Sequence, residues 1–115
     1  MFIKKGSNGI GVDIVELSRF REARFISRLA ELVLTPVEYS VFKVHPDRVT
    51  FFASRFALKE AVIKAYPAKL TYHDIEIYKE GLRPQVKIAG AKKGQKVFVS
   101  LSHSIDYVAG FAITY

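Results

Sequence analysis

Cysteine is absent from this chain of 115 residues. No disulfide framework can therefore form, and no thiolate can bind a metal ion. Any metal site must be built from oxygen or imidazole ligands. The lack of cysteine also favours the reducing environment of the cytoplasm over a secreted location.

Long apolar runs are missing as well. No segment approaches the ~20 apolar residues of a membrane span. The N-terminal segment MFIKKGSNGIGVD contains no apolar stretch of signal-peptide length. Repeats, linkers and low-complexity tracts are not evident either. The sequence therefore predicts a soluble cytoplasmic protein with one domain, residues 1–115, and no association with a membrane.

Positive charge exceeds negative charge, with 18 Lys and Arg against 11 Asp and Glu and a net charge of +7. Such a balance favours an anionic partner. Nucleic acid, a phosphorylated ligand, an acidic protein and a membrane surface all remain open on charge alone.

Hydrophobic periodicity predicts one strand, three helices and then four strands. In GIGVDIVEL, small or acidic residues alternate with Ile and Val, which is typical of a half-buried strand with Asp13 near its end. Apolar stripes and N-caps predict helices that end at about Val33, Lys43 and Tyr66, the first beginning at about Leu17. The segments DIEIYKE, PQVKIAG, KVFVSLS and YVAGFAITY predict the other strands. This order is typical of an α+β domain with helices packed on a mostly antiparallel sheet.

Two charged residues are unusual in the third predicted helix. At ~100° per residue, Glu60 and Lys64 lie within roughly 40° of each other, among apolar and small residues. Arg55 and Lys59 project elsewhere. An i,i+4 pair of this kind most often only stabilises an exposed helix, by a few tenths of a kcal/mol. A functional interpretation therefore needs matching chemistry in other segments.

Two other segments supply such chemistry: Asp13 follows two glycines, and SLSHS ends a strand near the C-terminus. Asp13 and Glu60 offer hard oxygen ligands, and sparse carboxylate sites typically hold Mg²⁺ together with water and substrate phosphates. Such a site predicts a phosphorylated substrate. The side chains that could receive its oxygens are Arg55, Lys59, Lys64 and His103.

Each of these residues also has an ordinary interpretation. An isolated Asp13 at a strand end is more often a cap or turn residue than a ligand. His103 alone is typical of a surface histidine, and Arg55 alone of a solvated helix charge. His45 and His73 match no motif and are expected in loops.

Four segments taken together resemble the holo-acyl-carrier-protein synthases, which are the small phosphopantetheinyl transferases. The segments are GIGVDIVELSRF, FFASRFALKEAVIKA, DIEI and VSLSHSIDYVAGFAI. Their order and spacing agree over nearly the whole chain. The resemblance implies a phosphopantetheinyl transferase-like fold. It also implies transfer of phosphopantetheine from coenzyme A to a serine of acyl carrier protein, for fatty acid synthesis, with release of adenosine 3′,5′-bisphosphate.

The resemblance implies roles for individual residues. Asp13 and Glu60 match the Mg²⁺ ligands, and Lys64 matches the lysine near the reacting phosphate. Removal of the serine proton stays open between Lys64 and Glu60, the latter through a metal-bound water. The residues that match positions holding the adenosine end of coenzyme A and its 3′-phosphate are Arg55, His103 and Ser104.

The resemblance also implies a docking face for the carrier protein on the first helix, formed by Arg19, Arg21, Arg24 and Arg28. Arg19 projects nearer Ile26 and Ala30 than the others, an unusual place for a charge without a partner. The other three arginines suit a solvated face equally well. A basic nucleic-acid-binding domain is the competing class, but it leaves the acidic pair unexplained.

The chain departs from the family pattern after Ala65. There YPAKLTYHDIEI is short and lacks a Gly-Thr-Gly type loop. One alternative is therefore a relative that binds carrier protein but transfers weakly.

The family's small members are homotrimers with active sites between protomers, and the last predicted strand suits such an assembly. Its alternate residues Ala109, Phe111, Ile113 and Tyr115 form an apolar face, whereas Gly110, Ala112 and Thr114 form a flat one. A single domain of this size covers only one such face well.

Overall fold

The computed structural model describes residues 8–21, 24 and 26–115. The elements in chain order are β1 (Gly9–Glu16), α1 (Ser18–Arg21), α2 (Ile26–Val33), α3 (Pro36–Val44), α4 (Arg48–Ala65), a 3₁₀ helix (Tyr72–Asp74), β2 (Ile75–Glu80), β3 (Arg83–Ile88), β4 (Val97–His103) and β5 (Tyr107–Thr114). The predicted α+β class is confirmed. Within the described part of the chain, no helix combines the length and apolar character needed to cross a membrane.

The strands form two antiparallel sheets. β5 lies in the middle of a three-stranded sheet, with β1 on one side and β4 on the other. Asp13 of β1 and Leu101 of β4 both pair with Gly110 of β5. β2 and β3 form a separate hairpin. β1 and β4 are thus the two edges of the larger sheet.

Helix α4 packs very close to the three-stranded sheet because glycines face it. A Cβ atom added to Gly9 or Gly11 would lie 1.9 Å from a carbonyl oxygen of α4, and one added to Gly110 would lie 2.7 Å from another. The carbonyls belong to small residues spaced one turn apart: Ala57, Ala61 and Ala65. Side chains on neighbouring positions of the strand and the helix therefore come within contact of each other.

The prediction of one continuous helix over residues 17–33 is wrong. The chain forms α1 and α2, with a turn at Arg24 between them, and residues 22, 23 and 25 lie outside the described residues. In one continuous helix, Val33 would point about 140° away from Phe20. Both side chains are buried in the same core cluster. The interruption lets both apolar faces reach that core.

The helix caps predicted from the sequence are confirmed. Thr35 and Glu38 form a capping box at the start of α3, with Thr35 N donating to Glu38 Oε1 at 2.8 Å. At the start of α4, Asp47 Oδ1 accepts from Thr50 N at 3.1 Å. This backbone hydrogen bond lowers the pKa of Asp47. Both caps satisfy donors that have no partner within their own helix.

Candidate active site

Asp13 lies within β1 rather than near the end of a strand, which corrects the expectation from the sequence. Its side chain shares the α4 face of the sheet with Gly9 and Gly11, because alternate strand residues point the same way. Lys64 Nζ donates to Asp13 Oδ1 at 3.2 Å and to the carbonyl oxygen of Val12 at 2.9 Å. Two of the predicted site residues are thus in direct contact between β1 and α4.

Glu60 lies one helical turn before Lys64 and is held by Tyr72. The Tyr72 hydroxyl donates to Glu60 Oε1. Burial raises the pKa of Tyr72 to about 12, with further contributions from the hydrogen bond to Glu60 and the charges of Glu60 and Asp13. The charges of both carboxylates therefore act on one phenol. We call Asp13, Glu60, Lys64 and Tyr72 the β1-edge group.

Tyr72 was missed by reasoning from the sequence. It lies in the segment YPAKLTYHDIEI, where the chain departs from the family pattern, and begins the 3₁₀ helix. No spacing rule connects a loop tyrosine with a helix glutamate 12 residues earlier. The altered loop itself was the only signal available.

The β1-edge group suits a hard divalent cation. The side chain of Asp13 is 19% exposed and that of Lys64 50% exposed, so the group is open to solvent on one side. Among the described residues, no three His, Cys, Asp or Glu side chains gather into a metal-binding cluster. Mg²⁺ commonly binds only one or two carboxylates and keeps waters and substrate phosphates. The donor set of Asp13 and Glu60 fits this pattern.

Lys59 does not join the group, although it directly precedes Glu60. Its side chain is fully buried, and Nζ lies 2.5 Å from Glu38 Oε1. Nζ also donates to the carbonyl oxygens of Val33 at 2.7 Å and Tyr72 at 3.0 Å. Burial lowers the pKa of Lys59, and the charge of Glu38 opposes that change. Because all three N–H donors are used internally, the expectation that Lys59 receives a substrate phosphate is corrected.

A cleft of about 430 Å³ lies at the other edge of the sheet, between α3, α4, β2 and β4. We call it the β4-edge cleft. Its apolar walls come from Val37, Val41, Phe51, Ile77 and Leu101. Its charged or titratable side chains are Glu38, His45, Arg55, Tyr78, Lys79 and His103. An apolar cleft with a few convergent polar groups is typical of a ligand site.

Arg55 supplies a buried positive charge to the β4-edge cleft. It is only 8% exposed, and its guanidinium carbon lies 4.3 Å from the centre of the Phe51 ring. Burial lowers the pKa of Arg55, whereas the charge of Glu38 raises it. Arg55 Nε is buried without a hydrogen-bond partner among the described residues. A buried guanidinium with an unused donor is suited to bind an anion such as a phosphate.

His103 is the last residue of β4 and lines the same cleft as Arg55, so the structure brings these two predicted residues together. Ser104 lies beside them in the turn between β4 and β5. Its Oγ accepts hydrogen bonds from the backbone nitrogens of Asp106 at 3.3 Å and Tyr107 at 3.2 Å. A role for Ser104 in ligand binding stays a prediction.

The two remaining histidines were expected in loops. His45 lies in the loop between α3 and α4, where its Nδ1 accepts from Asp47 N at 2.9 Å. His73 belongs to the 3₁₀ helix instead of an irregular loop. Of the two, only His45 borders the β4-edge cleft.

The β1-edge group and the β4-edge cleft are on opposite sides of α4. β5 separates the strands that carry Asp13 and His103. Adjacent strands are about 4.8 Å apart, so the backbones of the two edges are about 10 Å apart. Arg55 and Glu60 project about 140° apart around α4. One protomer therefore presents two separated polar groups rather than one closed site.

The basic residues predicted to dock a carrier protein are all exposed: Arg19, Arg21, Arg24 and Arg28. The Arg19 guanidinium carbon lies 5.2 Å from the centre of the Phe20 ring and 6.0 Å from that of Phe56. The ring centroids of Phe56 and Tyr72 are 6.0 Å apart. Aromatic contacts thus connect this basic face with the β1-edge group.

Comparison with known proteins identifies the family of this chain. The family model of the 4′-phosphopantetheinyl transferase superfamily matches residues 9–115. The holo-[acyl-carrier-protein] synthase of Bacillus pumilus is 41% identical in an alignment that covers 88% of this chain and 89% of the relative. The synthase of Geobacillus kaustophilus is 42% identical in an alignment that covers 86% of this chain and 81% of the relative.

Solved structures are similar too. The holo-(acyl-carrier-protein) synthase of Bacillus anthracis, in complex with CoA (3′,5′-ADP), has a TM-score of 0.77 and 31% identity, covering 92% of this chain and 94% of that chain. The synthase of Helicobacter pylori, in complex with coenzyme A, has a TM-score of 0.77 and 27% identity. The match covers 92% of this chain and 99% of that chain.

The fold and the matched family define a transferase: this chain belongs to the 4′-phosphopantetheinyl transferase superfamily. Within that superfamily, the relatives described above are holo-[acyl-carrier-protein] synthases. The resemblance identified in the sequence motifs is thereby confirmed.

Proposed function

We propose that this chain transfers the 4′-phosphopantetheine group from coenzyme A to a serine of acyl carrier protein, in support of fatty acid synthesis. The serine oxygen bonds to the phosphorus that carries the pantetheine arm. The pyrophosphate P–O bond breaks, adenosine 3′,5′-bisphosphate leaves, and the serine proton passes to a base. The observation that carries the proposal is the contact of Lys64 with Asp13 and the hydrogen bond of Tyr72 to Glu60, in a chain of the transferase superfamily.

Asp13 and Glu60 are the residues that would hold Mg²⁺ in this reaction. When bound, Mg²⁺ supplies positive charge that stabilises the phosphates during transfer. Lys64 already donates to Val12 and Asp13, which leaves one N–H for a phosphate oxygen. This arrangement supports charge stabilisation by Lys64.

The adenosine end of coenzyme A is proposed to bind in the β4-edge cleft. Arg55 and His103 offer donors for the 3′-phosphate, and the apolar walls of the cleft suit an adenine ring. The relatives from Bacillus anthracis and Helicobacter pylori were solved with this ligand or its nucleotide portion. The unused Arg55 Nε is the strongest local support for an anion at this place.

The proposed assembly is a homotrimer. The outer face of the three-stranded sheet is apolar and open in the single chain, and Val12 and Ile14 are 59% and 66% exposed there. The other exposed large apolar side chains on this face are Ile10, Phe98, Tyr107, Phe111 and Tyr115. A continuous apolar patch of this kind is typical of a protein–protein interface.

A trimer would also bring a β1-edge group close to a β4-edge cleft, which are separated within one protomer. Cyclic symmetry brings unlike edges of neighbouring protomers together. The β1-edge group of one protomer would then meet the β4-edge cleft of the next, and one coenzyme A would contact both. The active site is therefore proposed to lie between protomers.

Arg19, Arg21, Arg24 and Arg28 are proposed to dock the carrier protein. Their exposure and positive charge suit an acidic partner. Arg19 lies over Phe56, and Phe56 packs on Tyr72, so a carrier bound here is close to Glu60. The cytoplasmic location and the absence of nucleic-acid binding stay predictions.

The reaction itself is tested by weighing the carrier. The purified chain is incubated with apo-acyl carrier protein, coenzyme A and Mg²⁺, and mass spectrometry follows the carrier. We expect a gain of one phosphopantetheine group, and no gain when the acceptor serine is replaced by alanine. An unmodified carrier that still binds the chain would instead support the weakly transferring relative. The geometry does not favour that alternative, because the acidic pair and Lys64 remain together despite the altered loop.

A further inference from the structure

Tyr72 is held at both ends by two adjacent residues of α4. Lys59 Nζ donates to the carbonyl oxygen of Tyr72 at 3.0 Å, and the Tyr72 hydroxyl donates to Glu60 Oε1. The same turn of the helix thus fixes the backbone and the phenol of one residue. β2 begins three residues later, at Ile75.

The backbone anchor of Tyr72 is itself rigidly supported. Lys59 is fully buried, and its ammonium pairs with Glu38. Glu38 also accepts backbone hydrogen bonds from Thr35 at 2.8 Å and Ile77 at 2.6 Å. A buried network with all its partners satisfied gives a rigid attachment point.

The ring of Tyr72 is packed as well. Its centroid lies 6.0 Å from that of Phe56, one helical turn before Glu60. Asp74 Oδ2 accepts hydrogen bonds from the backbone nitrogen and the hydroxyl of Thr71, at 2.8 and 2.9 Å, which fixes the start of the 3₁₀ helix. The phenol therefore approaches Glu60 from a defined direction.

We infer that Tyr72 is a positioning residue that fixes the orientation of the Glu60 carboxylate within the β1-edge group. One carboxylate oxygen, Oε1, accepts from the phenol, and the other is then presented to a divalent cation. Outer hydrogen bonds of this type orient metal ligands, and their loss typically lowers metal affinity 10–100-fold. The inference rests on the proposed function, because it assigns Glu60 to the metal.

The test uses Mn²⁺ as a paramagnetic probe. Free Mn²⁺ is measured by electron paramagnetic resonance as it is titrated into the full chain with coenzyme A, and coenzyme A alone is the blank. We expect Tyr72→Phe to weaken Mn²⁺ binding about tenfold while the ring stays in place. Tyr39→Phe is the matched control, because its ring packs on Phe42 away from the acidic pair.

A Glu60→Ala variant shows whether Tyr72 acts by orienting Glu60 or only by packing. If Tyr72 acts through Glu60, adding Tyr72→Phe to a Glu60→Ala variant should change Mn²⁺ affinity by less than about twofold. Thermal unfolding of each variant reports any general loss of structure. Equal or tighter Mn²⁺ binding by Tyr72→Phe, or a tenfold loss in both backgrounds, would overturn the inference.

The same titration distinguishes failure of this inference from failure of the proposed function. Wild-type chain that takes up no Mn²⁺ beyond the blank would contradict the metal site, and the inference with it. Wild-type binding that is lost in Asp13→Asn but unchanged in Tyr72→Phe would overturn only the role of Tyr72.

Discussion

The two edges of the three-stranded sheet carry opposite chemistry on the same helix. The β1-edge group is acidic, open to solvent and lies in a shallow strand–helix contact. The β4-edge cleft is an apolar cavity around a buried arginine that has an unused donor. One edge suits a cation with phosphates, and the other suits a phosphate with an aromatic base. The difference is what the proposal requires, in which each edge binds a different end of coenzyme A.

The glycines of β1 and β5 explain why the two edges lie so close to the helix backbone. Gly11 and Gly110 have no room for a Cβ atom against α4. Larger residues there would push the helix outward, and overpacking of this kind typically costs about 1–3 kcal/mol. Asp13, on the same face, would then lose its contact with Lys64. The small-residue contact is thus part of the site's construction.

The largest effect is expected from neutralising the acidic edge. Asp13→Asn or Glu60→Gln should lower kcat/KM for transfer by roughly 100-fold or more, because each removes a charged group from the proposed metal site. Chelation with EDTA should have the same result. Carrier modification followed by mass spectrometry measures both. Glu80→Gln, at an exposed strand end, is the control. Near-wild-type transfer by Asp13→Asn or Glu60→Gln would contradict the proposed role of that carboxylate in transfer.

A second large effect is expected where the two edges are proposed to meet. Ile14→Lys places a charge on the open apolar face of the sheet, where a trimer would bury it at high cost. We expect monomers in sedimentation equilibrium and at least about a tenfold loss of transfer. Val44→Lys adds the same charge at the exposed end of α3 and should change neither. Wild-type chain that sediments as a fully active monomer would refute the trimer.

The β4-edge cleft is expected to affect substrate binding more than turnover. Arg55→Met should raise KM for coenzyme A about 10–100-fold, because a hydrogen bond to a charged group contributes about 1.5–3 kcal/mol. KM for 3′-dephospho-coenzyme A should change little. Steady-state kinetics with both substrates, and Arg83→Met as control, check this. Equal effects on KM for the two substrates would show that Arg55 does not bind the 3′-phosphate.

The smallest effect concerns the cap of α4, beside the β4-edge cleft. The pKa of Asp47 is lowered in the folded chain, so its stabilisation is complete above the unfolded value of about 4 and is lost as pH falls through the folded value. Asp47→Ala should lower the free energy of unfolding by about 1 kcal/mol at pH 7.

Urea unfolding across pH checks that prediction. The difference between Asp47→Ala and wild type should shrink as the solution becomes more acidic than about pH 4. Asp106→Ala, in the turn between β4 and β5, is a control for loss of an exposed carboxylate. A difference that is constant from pH 7 to pH 3 would show that the cap does not act through its charge.

Local patterns in the sequence were sufficient to predict much of the fold. The capping box at Thr35 and the cap at Asp47 depend only on neighbouring residues, and both are confirmed. The break between α1 and α2 was not predictable in this way. It depends on the distant core that buries Phe20 and Val33 together.

In the candidate site, too, local features were predictable from the sequence and contacts between separate segments were not. The i,i+4 spacing of Glu60 and Lys64, and the glycines before Asp13, were visible in the sequence. The burial of Lys59 depends on Glu38, which lies in another helix, and the position of Tyr72 depends on the path of the loop after α4. Such contacts join separate segments, so helical periodicity alone could not identify them.

The central claim, that one active site combines the β1 edge of one protomer with the β4 edge of the next, is tested most directly by mixing two defective chains. Asp13→Asn and Arg55→Met chains, each nearly inactive at low coenzyme A, are co-expressed with different tags and purified as mixed oligomers. Each mixed trimer holds one site in three that pairs two intact halves, so transfer should recover to roughly a third of the wild-type value. Mixed oligomers that remain as inactive as either parent would contradict the shared site.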